Sequence, residues 1–199
     1  MAVNQVETHI NVQVTDRNRA TVFFRGILVF PMVIFLASLS SATHIGMYAS
    51  GIVMVPVLLT LLFRGKYPSY ILTFNHAIIE LNTRVTAYAL FLVDDYPSIE
   101  RNQNIAVMFP DVEHGRKLSR GLPLVKWLFA IPLYIVGAFY TVIAVLLTIF
   151  AWLHTSVTGT YPGTALNWVV GTVGYWNRVA GYTALLVTDD YPSFSLSGK

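Results

Sequence analysis

Two long blocks of the chain carry no charged residue: Gly26–Phe63 and Trp127–Asn177. A surface helix of a soluble fold needs a polar face, and neither block supplies one. In lipid a charge at mid-depth costs about 2.5–3.5 kcal/mol, so bare blocks of this length are the mark of a bilayer. The small and polar run Ser40–Gly46 splits the first block. It predicts a hairpin over about 22–63, with helices at Val22–Leu39 and Met47–Phe63. A softer break near Gly137 predicts a second hairpin over about 122–154, with arms Leu122–Gly137 and Ala138–Leu153; one long kinked helix is the alternative. Arms of 16 residues reach about 24 Å, short of the ~30 Å hydrocarbon core, so full crossings and re-entrant loops both fit.

A third helix follows each block. Over about 70–93 the polar residues Thr73, His76, Glu80, Thr83 and Arg84 recur at helical spacing. This predicts an amphipathic helix in the membrane interface. Over about 164–187 the stripe Asn167, Gly171, Gly174, Arg178, Gly181 has the same spacing but small side chains, which predicts close helix packing through Gly171, Gly174 and Gly181. A six-span topology is the rival. Alternation of period two at Ile10, Val12, Val14 and at Ile105, Val107, Phe109 predicts two short strands. Open strand edges are not tolerated in lipid, so these belong to a small cytoplasmic ribbon.

Composition agrees with the pattern. The 199 residues are 55% hydrophobic and 12% charged, with mean hydropathy +0.58. A soluble domain carries about 25% charged residues. The Lys and Arg residues fall before, between and after the blocks, which places both termini and the central region in the cytoplasm of a multi-pass protein. The net charge of +3 then serves anionic lipid headgroups, not nucleic acid. Residues 1–20 lack the apolar core of a signal peptide. Without cysteine there is no disulfide and no thiolate chemistry.

The two halves of the chain are alike. "RVTAYALFLVDDYPS" from Arg84 matches "RVAGYTALLVTDDYPS" from Arg178, and "GKYP" from Gly65 matches "GTYP" from Gly159. The strands, and "RG" at Arg25 and Arg120, recur at a spacing of 95. The expected fold is therefore a mainly α membrane protein of two tandem parallel repeats, 1–103 and 104–199. Each holds a short strand, a transmembrane hairpin and a further helix, and an axis along the membrane normal relates them.

"LFAIP" (Leu128–Pro132), "TGTYP" (Thr158–Pro162), Arg178-Val179 with Tyr182, and "TDDYPSFSL" (Thr188–Leu196) resemble a prokaryotic membrane family described only as a domain of unknown function, number 4389. The resemblance is good over about 104–196 and weaker over 10–99. It implies a membrane location, here the prokaryotic inner membrane, and a repeated unit; it implies no activity.

The residues offer little chemistry. His9, His44, His76, His114 and His154 lack metal or haem spacing, and no nucleophile elbow or phosphate loop is present. No catalytic, cofactor-binding or metal residue is expected. Tyr67, Tyr96, Tyr161 and Tyr191 each precede a proline, which fits helix-end turns anchored at the headgroup level or contacts to lipid and partners. Arg84 with Tyr88 and Arg178 with Tyr182 stand ten to twelve residues before Asp94-Asp95 and Asp189-Asp190. Pairing of each arginine with the aspartates is the structural expectation; a phospholipid phosphate held by the guanidinium is the functional one. The expected function is that of a non-catalytic accessory or scaffold subunit binding other membrane proteins or itself. A phospholipid-binding or membrane-organising role is the alternative, and an enzyme or transporter has the least support.

Overall fold

The computed structural model describes residues 4–41, 53–100 and 104–197. They form a mostly helical fold with one two-stranded sheet. In chain order the elements are β1 (Glu7–Ile10), α1 (Arg19–Leu28), α2 (Phe30–Ser41), α3 (Val55–Arg64), α4 (Ser69–Ala89), β2 (Ile105–Met108), α5 (Lys126–Phe129), α6 (Ile131–Thr158) and α7 (Gly163–Thr183). Local chemistry sets the ends. The Asn18 side chain caps α1 by accepting from the amides of Ala20 and Thr21. Proline has no N–H for the carbonyl four residues back. Pro31 and Pro132 therefore break the path at Val29 and Ala130. Gly65 (φ 58°) and Gly159 (φ 74°) end α3 and α6 in the left-handed region that glycine adopts without strain. Pro68 and Pro162 then open α4 and α7, each 21 residues long.

The second expected hairpin is a single helix. α6 runs unbroken for 28 residues through Gly137, about 42 Å at 1.5 Å per residue. One mid-helix glycine costs only about 1 kcal/mol relative to alanine and turns nothing by itself. Gly137 instead seats a neighbour. A Cβ there would lie 2.8 Å from Trp176 and 3.0 Å from Tyr175. Trp176 donates to the Thr141 hydroxyl at 2.9 Å, and Tyr175 to the Leu133 carbonyl at 2.7 Å. In the first block α1, α2 and α3 are seen. The expected turn lies almost wholly outside the described residues, as does the start of the expected second arm.

The long elements run against one another. Arg19 donates to the Thr158 carbonyl and Phe23 stacks on Trp152 at 5.8 Å, so α1 lies antiparallel to the end of α6. Tyr67, before α4, donates to the carbonyl of Leu185, after α7, at 2.7 Å. Gln13 donates to Leu92, after α4, while its neighbour Val14 accepts from Tyr161, before α7. α4 and α7 are therefore antiparallel too. They meet where the Asn177 amide donates to the Thr83 hydroxyl at 2.9 Å.

β1 and β2 pair antiparallel, Ile10 opposite Ile105 and Glu7 opposite Met108. The extended chain around β1 lies along α7, with Val6 against Gly181 and Thr8 bonded to Asn177. The chain around β2 lies along α4, its Val107 carbonyl 2.6 Å from the His76 ring and its His114 carbonyl accepting from Tyr67. The polar face of α4 thus meets protein, and Arg84 is buried. His76, Glu80, Thr83 and Arg84, the polar side chains that suggested an interfacial helix, meet protein groups here. Gly171 and Gly181 are likewise pressed by Leu196, in a turn, and Val6, beside β1, rather than by another helix.

The resulting order is ribbon, then α4 and α7, then the apolar helices. The outer face of that last layer carries Phe23, Ile27, Phe30, Ile135, Phe139 and Leu146, all exposed, while Arg17, Arg25, Arg84, Lys126 and Arg178 are buried. α1–α2 (Arg19–Ser38) and α6 are each long and apolar enough to cross a membrane.

Filling the seat on α6 tests this packing. Gly137→Leu should lower stability in detergent by about 1–3 kcal/mol through overpacking against Trp176. Gly163→Ala, where a Cβ meets nothing, should leave the melting temperature unchanged or slightly raised. Thermal unfolding followed by circular dichroism reads both.

Candidate functional site

Two buried cation–carboxylate clusters hold the helix entries. In the first, Arg17 and Arg25 share the Oδ1 atom of Asp94, with Arg17 at 2.8 Å. Asp94 sits just beyond α4, where Phe91 adopts φ 62° and turns the chain back. Arg25 is 0% exposed, lies 4.5 Å from the centre of the Tyr88 ring and donates to the Val93 carbonyl. The second Asp94 oxygen accepts from the Asn18 amide. The later cluster uses the same parts. Lys126, 1% exposed, pairs with Asp189 at 2.8 Å, donates to the Thr188 carbonyl at 2.6 Å and lies 4.9 Å over the Tyr182 ring. The Ser119 amide donates to the other Asp189 oxygen, and Leu186 turns the chain at φ 56°.

Burial pushes both aspartates toward the neutral acid. The opposing effects win: the Arg25 and Arg17 guanidinium groups hold Asp94 below the ordinary carboxylate range, and Lys126 with the Ser119 amide does so for Asp189. Burial also lowers Lys126, against the pull of Asp189.

The expected Arg84 and Arg178 pairings with these aspartates do not form. Arg84 pairs with Glu80, one turn back, at 3.0 Å, and donates to the carbonyls of Ser98 and Glu100. Arg178 donates to the Ser195 carbonyl; among the described residues it pairs with no carboxylate. The reason is geometric. Asp94 and Asp189 lie beyond the turns at Phe91 and Leu186, which aim them at the segments entering α1 and α5.

The tyrosines divide into two kinds. Tyr67 and Tyr161, before the prolines that open α4 and α7, are buried, and the Tyr161 hydroxyl has no partner among the described residues. Burial raises the ionisation of each to about 12. These two are core residues, not headgroup anchors. Tyr96 and Tyr191 are exposed and pack edge-on against Tyr88 and Tyr182. Of Gly171, Gly174 and Gly181, Gly174 is the one where a Cβ would meet no crowding, with the Arg178 Nη1 atom 3.7 Å and the Thr8 Cβ 4.0 Å from its Cβ position. No three His, Cys, Asp or Glu side chains converge among the described residues.

Sequence reasoning missed Arg17, Arg25 and Lys126 as the partners of the aspartates. A signal for two of them exists: Arg25 and Lys126 each stand six residues before a proline, Pro31 and Pro132. Matching Arg25 to Arg120 by the following glycine hid that register.

Removing one carboxylate strands buried cations. Asp94→Asn should cost about 3–5 kcal/mol in unfolding stability, while the exposed Asp16→Asn should stay within about 0.5 kcal/mol. Because the folded-state ionisation of Asp94 and Asp189 is depressed, their stabilisation is complete above the ordinary aspartate value near 3.9. It is lost only as pH falls through the lower folded values. An acid titration of the melting temperature should show that fall in the parent and a shallower one in Asp94→Asn.

Comparison with the curated proteins and with the solved structures finds no match. Residues 123–195, which span the Lys126–Asp189 cluster together with α6 and α7, match the family described as "Domain of unknown function (DUF4389)".

Proposed function

We propose that this chain is a non-catalytic membrane protein that lies in one leaflet and serves as a scaffold or accessory subunit for other membrane proteins or further copies of itself. The carrying observation is the inverted distribution of polarity, with a buried cationic interior beneath an exposed apolar helical layer. Water does not tolerate so broad an apolar face, whereas lipid does.

Orientation follows from the ribbon. The extended chain from Val6 to Val14 lies along α7, from Gly181 at one end to Tyr161 at the other. If α6 and α7 stood upright in the bilayer, this strand would cross it with them. Glu7 and His9, with side chains 45% and 61% exposed, would then meet hydrocarbon, as would an open strand edge. A buried carboxylate alone costs about 2.5–3.5 kcal/mol, and each orphan peptide group adds several more. Laid flat, the same molecule puts the ribbon in water and the apolar layer in lipid. A helix of about 10 Å diameter fits within the roughly 15 Å of hydrocarbon in one leaflet. A flat α6 also keeps the described Lys and Arg residues near one surface, which a single upright crossing does not.

The likeness between halves fits this reading. Antiparallel α4 and α7, the matched clusters and the Ile10–Ile105 strand pair are what two copies of one unit produce about an axis normal to the membrane. Surfaces of this kind present a rigid raft on which neighbouring membrane helices pack.

Labelling decides the orientation. With no native cysteine, Arg19→Cys and Lys117→Cys report the segments at opposite ends of α6. In sealed vesicles both should react with an impermeant maleimide from the same side; reaction from opposite sides would sink the flat orientation. Mild detergent extraction should yield an assembly larger than the 22.2 kDa chain in its micelle. A lipid-loaded monomer would overturn the scaffold role.

A further inference from the structure

Arg84 and Arg178 occupy matching places in the two halves, 94 residues apart, yet among the described residues only Arg84 has a counter-ion. Arg84 has Glu80 four residues before it. The residue four before Arg178 is Gly174. Arg178 is 7% exposed. It donates to the carbonyl of Ser195, its Nε has no acceptor, and no carboxylate pairs with it among the described residues. Burial lowers its ionisation, with only the Tyr175 ring hydroxyl opposing. Arginine nevertheless stays charged in proteins, so among the described residues this is a cation without a compensating carboxylate.

The space vacated by the missing carboxylate is open. A cavity of about 560 Å³ is bounded by Thr8, His9, Gly174, Arg178 and Ser193. Glu7 and Asp190 also border it, but Glu7 lies 3.6 Å from His9, and neither carboxylate pairs with the guanidinium. Hydroxyl and imidazole groups beside an unsatisfied guanidinium favour an oxygen-rich anion.

We infer that Arg178 and the cavity beside Gly174 form a binding site for a phosphate group, with the ligand's charge standing where Glu80 stands beside Arg84. The site uses groups of this chain alone and does not depend on the orientation or the scaffold role proposed above. A free phosphate and the headgroup of an anionic phospholipid share the required chemistry.

Binding is measured on the full chain by titration calorimetry and thermal shift, with two probes. One is inorganic phosphate against chloride at equal ionic strength. The other is nanodiscs of phosphatidylglycerol against phosphatidylcholine. Raised melting temperature with inorganic phosphate identifies a soluble ligand; raised stability only with phosphatidylglycerol identifies the headgroup. Arg178→Gln should weaken the response roughly tenfold to a hundredfold, the range for losing hydrogen bonds to a charged group. Gly174→Glu supplies the missing carboxylate internally. It should abolish the response while keeping the protein folded, so the test stands even if Arg178→Gln fails to fold. Arg84→Gln should leave the response intact. No response to either probe, or one that survives Gly174→Glu, overturns the site.

Discussion

A buried positive charge that cannot be left alone organises this molecule. Arg25 and Lys126 sit at the entries to the apolar helices, where charge is least welcome. Each is stabilised by one aspartate, one backbone carbonyl and one tyrosine face. The aspartate arrives from beyond α4 for Arg25 and from beyond α7 for Lys126, so satisfying the cation also fixes where that helix ends. The left-handed residues Phe91 and Leu186 are the backbone strain accepted to aim the carboxylates. In a low-dielectric interior the desolvation of both ions offsets much of their attraction, so the larger effect is the cost of leaving either one unpaired.

The long helices follow from this anchoring together with the prolines and glycines. Pro31 and Pro132 bend the chain after the buried cation, and Gly65 and Gly159 stop the apolar run. α7 is covered on one side by α6 and on the other by the extended N-terminal chain, and its interior positions are buried nearly all round. Gly171 and Gly181 along it accommodate Leu196 and Val6 from non-helical segments, which a helix-to-helix picture does not anticipate.

Much of the architecture is legible in the sequence. The third helix of each half, the two strands and the apolar blocks are found close to where periodicity places them. What failed is informative. Gly137 looks like a break because a glycine in an apolar run offers no side chain to read, yet its role is to admit Trp176. The amphipathic face of α4 looks interfacial because polarity alone does not distinguish water from a buried strand. Arg84 and Arg178 drew attention by their likeness, while the aspartates sought partners in segments whose register is displaced between the halves. Spacing along the chain reports periodicity well and long-range charge pairing poorly.

The ribbon has a consequence for how the chain is made. β1 has its strand partner in β2, about one hundred residues later. Until Ile105 leaves the ribosome, the amino-terminal strand has an open edge beside an apolar surface, a pairing of high sequence separation and slow closure. A nascent first half is therefore exposed to mispairing with neighbouring chains until synthesis of the second half supplies the partner strand.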